Sequence, residues 1–129
     1  MRKRIVFRGQ SLLEFAITIP MLLLLLMGIF DLGRVTFYYA ALTNSAREGA
    51  RYGIVQPDDS IGIRQVVRDF AFGIDPDDLT ISVDRDTELN LITVSTSFEF
   101  VPATPLITPF LGGSDGIFLQ SETTMAIEG

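Results

Sequence analysis

The sequence predicts an α+β protein in which a long N-terminal helix packs on a small antiparallel sheet of about three strands, with one short additional helix. Three observations lead to this prediction. An apolar stretch near the N-terminus continues into a segment with helical spacing and no proline. A shorter amphipathic segment follows, and after residue 78 the periodicity changes from helical to alternating. With 129 residues, the chain has room for one domain and an anchor.

The apolar stretch runs from Leu12 to Phe30, a length of 19 residues. Glu14 is its only charged residue, and Asp31 ends it. This length is close to the roughly 20 residues that cross a bilayer as a helix. A cleaved signal peptide is the alternative, but its apolar core is usually only about 7–15 residues long. No clear small-x-small cleavage site follows the stretch, so we favour a retained transmembrane anchor.

The charge distribution predicts the orientation of the anchor. Basic residues precede the apolar stretch and none follows it directly, which places the N-terminus in the cytoplasm. We therefore expect a single-pass protein of the plasma (inner) membrane, with a basic leader at 1–9, a transmembrane helix at 10–31 and an extracytoplasmic domain at 32–129. From Asp31 onward there are 15 acidic and 6 basic residues, a formal charge of -9, which disfavours nucleic acid as a partner. The basic residues are Arg2, Lys3, Arg4 and Arg8.

The helical pattern continues beyond the predicted membrane surface. The segment from Leu32 to Val55 contains no proline. A helix from Leu12 to Val55 would extend about 66 Å, more than twice the hydrocarbon thickness of a bilayer. Its outer half therefore needs a packing partner outside the membrane. The apolar positions at helical spacing are Val35, Tyr38, Tyr39, Leu42, Ala46, Ala50 and Ile54.

The second helix is predicted from Ile61 to Phe72. Pro57 disfavours helix in the residue before it, and Asp59 or Ser60 offers a cap for the helix that follows. The segment alternates an apolar set with charged residues at helical spacing, as an amphipathic helix does.

Three strands are predicted after the acidic turn that begins at Asp75. The first contains Ile81 and Val83, the second runs from Ile92 to Phe100, and the third runs from Ile117 to Ile127. Residues 84–90 are polar and connect the first two strands as a hairpin. Hairpin-connected strands are apolar on one face only, so the sheet needs a cover. The outer half of the first helix is the expected cover. An irregular crossing containing Pro102, Pro105 and Pro109 precedes the third strand.

The composition argues against an enzyme. There is no cysteine and no histidine, so the commonest metal ligands and the usual general base are missing. No glycine-rich phosphate loop and no nucleophile-elbow motif is present. We expect no catalytic residues, no cofactor, no metal and no small-molecule substrate. Two acidic groups offer oxygen ligands for calcium, but neither matches an EF-hand loop: Asp75, Asp77 and Asp78, and Asp84, Asp86 and Glu88.

The most informative arrangement is Gly9 followed five residues later by Glu14 and then Phe15. Glycine lets the backbone leave helical geometry and enter a protease cleft. A carboxylate within a membrane span costs roughly 2.5–3.5 kcal/mol and needs a partner. Cleavage after Gly9 would supply one, because the new ammonium group of Gln10 lies one helical turn from Glu14, or meets the Glu14 of a neighbouring subunit. The alternative is a linker glycine and a Glu14 close to the interface near Arg8.

Three motifs together resemble the TadE-like family. The opening RGQSLLEFA at 8–16 is similar to the cleavage signal of type IV prepilins in the Tad (Flp) branch. The segments GIFDLGR at 28–34 and NSAREGARY at 44–52 are similar to that family's second and third motifs. The closing TTMAIE at 123–128 agrees with the family more in layout than in detail.

This resemblance implies a pseudopilin-like fold and a structural role. The protein would be a minor pseudopilin or assembly factor of a Tad-type pilus or secretion system. An aspartic prepilin peptidase would cut after Gly9, Gln10 would become the new N-terminus, and Glu14 would be the fifth residue of the mature chain. The implied partners are membrane lipid, the prepilin peptidase, other pilins and pseudopilins, and Tad assembly proteins. An assembled pilus would carry the protein to the cell surface.

Charged pairs beyond the span are candidates for subunit packing, together with Glu14. Asp31 and Arg34 are three residues apart and can pair at the outer membrane surface, either as an ordinary boundary or as a contact between subunits. Glu48 and Arg51 repeat this spacing. Arg47 and Arg51 carry like charge at a spacing of four, so one of them is expected to face an acidic partner or solvent.

Gly49 and Gly53 form a small-residue pair at a spacing of four. Such a pair allows a second element to approach the helix closely. Because it lies beyond the bilayer, we favour packing against the chain's own sheet over dimerisation.

A second function remains open at the level of sequence. The ectodomain could be a tethered module that binds a partner protein, a carbohydrate or calcium, with the N-terminal helix serving only as an uncleaved anchor.

Overall fold

A computed structural model describes residues 7–104 and 116–127 of the protein. The predictions for leader residues 1–6, for Pro105 and Pro109 in the crossing, and for Glu128 fall outside the described residues. Three antiparallel strands form one sheet in the order β1-β2-β3, so the predicted α+β class is confirmed. The elements are α1 (Phe7–Val55), α2 (Ser60–Phe70), β1 (Leu79–Asp86), β2 (Leu91–Phe100) and β3 (Ile117–Ala126).

Helix α1 has 49 residues and is therefore about 73 Å long. It begins at Phe7, five residues before the predicted start at Leu12. Phe7 to Ser11 include no proline, and their single glycine does not break the helix when an apolar run continues it. Pro20 lies inside the helix. The end at Val55 confirms the prediction and is explained by Pro57, which disfavours helical geometry at Gln56.

Helix α2 begins at Ser60, one residue before the predicted start at Ile61, and ends at Phe70, two residues before the predicted end at Phe72. Its cap is Asp59, whose carboxylate accepts a hydrogen bond from the Gly62 backbone N–H at 2.9 Å. The same carboxylate accepts from the Tyr52 hydroxyl at 3.0 Å, which ties the start of α2 to the last turn of α1. This hydrogen bond and partial burial raise the pKa of Tyr52 above its ordinary value. Ile63 and Val67 are the fully buried residues of α2.

The β1–β2 hairpin is tighter than predicted. Strand β1 continues to Asp86 and β2 begins at Leu91, so the connection is residues 87–90 instead of 84–90. The Asp86 carboxylate accepts from the backbone N–H groups of Glu88 and Leu89, and Asn90 adopts a positive φ of 55°. These are the turn devices expected of Asp and Asn. The pairing of β1 with β2 continues through the polar residues 84–86, because backbone groups form its hydrogen bonds and the side chains of these residues face solvent.

The core lies between α1, α2 and one face of the sheet. Helix α1 crosses β2 and β3, and α2 contacts β1, so the predicted cover of the sheet is confirmed for the outer half of α1. The buried apolar residues are Leu42, Ala46, Ala50, Ile63, Val67, Ala71, Ile74, Leu79, Ile92, Val94, Phe100 and Leu119.

Two glycines of α1 allow this close packing. A Cβ on Gly49 would collide with a methyl group of Val67 on α2, and one on Gly53 would collide with the side chain of Ile92 on β2. Both glycines are buried within the chain's own core. Of the two alternatives for this pair, the structure therefore favours intramolecular packing over dimerisation.

We expect the Gly49→Ala variant to be less stable than the matched Gly33→Ala variant. Both gain about the same helix propensity, up to about 1 kcal/mol. Only Gly49→Ala overpacks the core, at a cost of about 1–3 kcal/mol, because nothing lies within 4 Å of a Cβ on Gly33. Urea unfolding of the full chain in detergent, followed by circular dichroism, measures the difference. Equal free energies of unfolding would contradict the packing at Gly49.

Candidate functional site

The first half of α1 has no covering element among the described residues. Helix α1 is long and apolar enough to cross a membrane: its best 18-residue window has a mean hydropathy of 2.3, and none of that window is buried. Leu12 and Phe15 are more than 60% exposed, as are Met21 and Leu25. A helix surface this apolar is stable only against lipid or protein. The N-terminal half of α1 is therefore a candidate membrane span.

The predicted processing residues lie in the first two turns of α1. Gly9 and Gln10 are the third and fourth residues of the helix. In the folded chain Gly9 is helical, so the departure from helical geometry that a glycine allows requires local unwinding. The first four N–H groups of a helix have no acceptor within it, so this turn unwinds at lower cost than one in the interior. A Cβ on Gly9 would meet nothing within 4 Å, which leaves the backbone accessible.

Glu14 and Phe15 are exposed on the same apolar half. The backbone carbonyl of Glu14 accepts a hydrogen bond from the Thr18 hydroxyl at 2.7 Å. Across residues 7–104 and 116–127, no ion pair reaches its carboxylate. Among the residues that the structure describes, the Glu14 carboxylate thus has no ion-pair partner, although it lies in the most apolar part of the helix.

Asp31 ends the apolar half and is only 3% exposed. Its Oδ2 accepts from the Thr104 N–H at 2.8 Å and from the Thr104 hydroxyl at 2.6 Å, while Oδ1 accepts from the Ala103 N–H at 3.0 Å. These donors belong to the chain that leaves β2, more than 70 residues away in sequence. A buried carboxylate that accepts several hydrogen bonds is far more stable than an unpaired one. We call this set of contacts the Asp31 clamp.

Arg34 completes the Asp31 clamp from the next turn of α1. Its guanidinium lies 3.3 Å from Asp31 Oδ1, so the predicted pairing of these two residues is confirmed. It also lies over the ring of Phe100, 4.9 Å from the ring centre, and 6.0 Å from the ring centre of Tyr38. Arg34 therefore links the carboxylate to the aromatic residues at the end of β2. The Asp31 carboxylate turns inward to its own chain, so it is not available to a neighbouring subunit.

Sequence reasoning missed Ala103 and Thr104 as partners of Asp31. Two of the three donated hydrogen bonds come from backbone N–H groups, which any residue type supplies. A signal was nevertheless available: an aspartate directly after an apolar span needs donors, and a threonine shortly after Pro102 can offer two.

The remaining charged candidates on α1 do not pair with each other. Within the described ranges, neither Arg47 nor Arg51 makes an ion pair, and Glu48 makes none with Arg51. Both arginines are exposed, whereas Glu48 is half-buried. The predicted spacing of Glu48 and Arg51 is thus present without the contact, and the two arginines remain candidates for a contact between subunits.

The acidic turns offer no assembled cation site. In the part of the chain that the structure describes, no group of three or more acidic side chains is arranged to hold a metal ion. The Asp75 carboxylate instead accepts from the Asp77 backbone N–H at 3.1 Å.

Comparison with known proteins identifies a family for the N-terminal part of the chain. Residues 9–51 match the sequence model of the family described as TadE-like protein, which confirms the resemblance seen in the motifs. The match covers the processing residues, the apolar half of α1, the Asp31 clamp residues on α1 and the arginines at 47 and 51. No curated protein and no solved structure matches the chain. The match extends over 43 of the 129 residues of the chain.

We expect the Asp31→Ala variant to lower the free energy of unfolding by about 2–3 kcal/mol, because it leaves the buried Thr104 and the Ala103 N–H without their acceptor. Thr104→Val removes one of these donors and should cost about 1 kcal/mol. Urea unfolding of the full chain in detergent, followed by circular dichroism, checks both values. An Asp31→Ala variant as stable as the natural chain would show that the clamp does not hold the domain.

Proposed function

We propose that the protein is a membrane-anchored minor pseudopilin or assembly factor of a Tad-type pilus. The single observation that carries the proposal is the division of α1 into two halves. The outer half is buried by the chain's own sheet, while no residue of the apolar stretch from Leu12 to Phe30 is buried. A helix of this kind can rest in lipid and later exchange lipid for the helices of other pilins.

The proposed orientation places the N-terminus in the cytoplasm and residues beyond Asp31 outside the plasma membrane. The basic residues before the span support it through the positive-inside rule. In an assembled pilus the domain would reach the cell surface.

The proposed processing step is cleavage of the Gly9–Gln10 peptide bond by a prepilin peptidase on the cytoplasmic side. Hydrolysis leaves a carboxylate on Gly9 and an ammonium group on Gln10. The ammonium group then lies four residues from Glu14, one helical turn away, where opposite charges attract across an apolar surface. The partner of Glu14 is thus either its own N-terminus or that of a neighbouring subunit. The first turn of α1 must unwind for the bond to enter the protease.

We expect protein purified from membranes of the source cells to have the intact mass of residues 10–129. A bulky side chain at Gly9, as in Gly9→Leu, should block entry into the protease and retain the full mass. Gly28→Leu is the matched control, because it also adds a side chain to an open glycine of α1 and should be cut normally. Full-length protein in cells that contain the peptidase would contradict the processing step.

A second variant in the same experiment separates cutting from assembly. Glu14→Gln keeps the size of the side chain but removes the charge that attracts the new ammonium group. Glu14→Gln should lower the amount of pili in the sheared surface fraction at least tenfold. The fraction of chains that are cut after Gly9 should stay the same as for the natural sequence. In a tethered binding module that uses the helix only as an anchor, Glu14→Gln would leave the function unchanged.

A further inference from the structure

One face of α1 beyond the span remains open in the folded domain. Ala40, Asn44, Arg47 and Arg51 are all exposed and follow one another at helical spacing. We call them the outer face of α1. Its end far from the span carries two positive charges, and neither meets an acidic group within the described residues. Two neighbouring exposed cations on an otherwise acidic domain form a local positive patch, to which an acidic surface of a second molecule is complementary.

The arginines lie toward the β3 edge of the sheet. The Ser121 hydroxyl of β3 donates to the Thr43 hydroxyl of α1 at 3.2 Å, which fixes the side of the helix that faces β3. Arg47 follows Thr43 by four residues and stands about one turn above it, while Arg51 follows Arg47 by four and is turned further toward the side of α1 that faces away from the sheet.

A complementary patch lies at the opposite edge of the sheet. Asp75, Asp77 and Asp78 form an acidic turn between α2 and β1, and β1 is the edge strand on the other side from β3. All three are exposed, and no ion pair reaches them in residues 7–104 or 116–127. The acidic turn therefore carries three negative charges without a counter-ion.

The two patches also differ in their distance from the membrane. Gly73, just before the acidic turn, lies against the rings of Phe37 and Tyr38. Arg47 and Arg51 are 9 to 14 residues further along α1, which corresponds to about 15–20 Å. Complementary patches on different surfaces of one chain form heterologous contacts, and an axial displacement between the two patches makes such contacts build an open helical array instead of a closed ring.

We propose that the acidic turn of one copy docks on the Arg47 and Arg51 end of the outer face of α1 in a second copy. The docked copy is displaced about 15–20 Å away from the membrane along the helix axis. This inference rests on the proposed function, since membrane-anchored copies present their helices in parallel. The partner is thus a second copy of this chain, and the contact repeats from copy to copy.

The same displacement accommodates the rest of the chain. The displacement moves the apolar half of α1 in the docked copy away from the membrane, to the level of Phe30, Leu32 and Phe37 in its neighbour. Each of these three side chains is more than 50% exposed. These side chains replace lipid around the departing span. The charge contact therefore sets the register in which lipid contacts are exchanged for protein contacts.

The other cations on the acidic flank do not oppose this register. Arg64 and Arg68 lie on α2, which runs antiparallel to α1, with Val67 at the level of Gly49. In the docked copy a displacement of about 15–20 Å carries them beyond the end of its neighbour's α1 at Val55.

Cysteine cross-linking tests the contact, because the natural chain contains no cysteine. Asn44→Cys lies on the outer face and Pro76→Cys lies in the acidic turn, and both variants keep every charge. The full chain in its native membranes, treated with a flexible bismaleimide, should give a ladder of dimers, trimers and larger species when both cysteines are on one chain. Two singly substituted chains with different tags should give a mixed dimer.

The controls separate this inference from the proposed function. Arg47→Glu with Arg51→Glu should lower the yield of mixed dimer at least tenfold, and Asp77→Arg with Asp78→Arg in the other copy should restore it. A ladder from Asn44→Cys with Thr87→Cys in the β1–β2 hairpin would assign the arginines a different partner and overturn the register. If chains that are cut after Gly9 give no mixed dimer, the inference is overturned and the proposed function is not. If the chains are uncut and give no mixed dimer, both the inference and the proposed function are overturned.

Discussion

The structure depends on one carboxylate at the junction between the bare apolar half of α1 and the half that the sheet covers. Asp31 is the residue at which α1 stops being apolar on all sides and starts to be covered by the sheet. Its buried charge is stable because Thr104, the Ala103 backbone and Arg34 surround it. Since the donors come from the chain after β2, the clamp fastens the end of the sheet to α1 where the candidate membrane span ends. The sheet domain and the candidate span therefore share one continuous helix.

This junction explains how the protein can serve both environments. Beyond Asp31, the small residues Ser45, Ala46, Gly49 and Ala50 let α2 and the sheet approach α1 closely. Before Asp31, large aliphatic side chains point in every direction, as lipid requires. A pull on the span would be transmitted directly to the domain, and a contact made by the domain would fix the axial position of the span. Both properties suit the proposed role of a pilus subunit that exchanges lipid for protein contacts during assembly.

Much of the fold could be predicted from the sequence, because strong patterns determine it. The end of α1 follows from Pro57, and the strands follow from alternation after residue 78. The predicted stripe on α1 was correct for Leu42, Ala46 and Ala50 but not for Tyr39, which is 51% exposed. The buried side of α1 carries small residues such as Ala46 and Gly49, because α2 packs too closely there for an aromatic ring such as that of Tyr39.

Contacts between distant residues were beyond the reach of sequence patterns. Spacing on one helix predicted the pair of Asp31 and Arg34, but nothing local shows that Thr104 returns to the same carboxylate. Spacing likewise suggested a contact between Glu48 and Arg51, although α1 directs the arginine to solvent. The processing residues were recognised from their order along the chain, which is independent of the fold. Their helical geometry came only from the structure.

The continuity of α1 across Asp31 can be measured directly. Spin labels on Met21→Cys and Asn44→Cys, in a chain with no other cysteine, report the distance across the junction in lipid nanodiscs by pulsed electron paramagnetic resonance. These positions are 23 residues apart, so an unbroken helix gives one narrow backbone separation of about 35 Å. A broad or clearly shorter distribution would show a hinge at the membrane boundary and contradict the account.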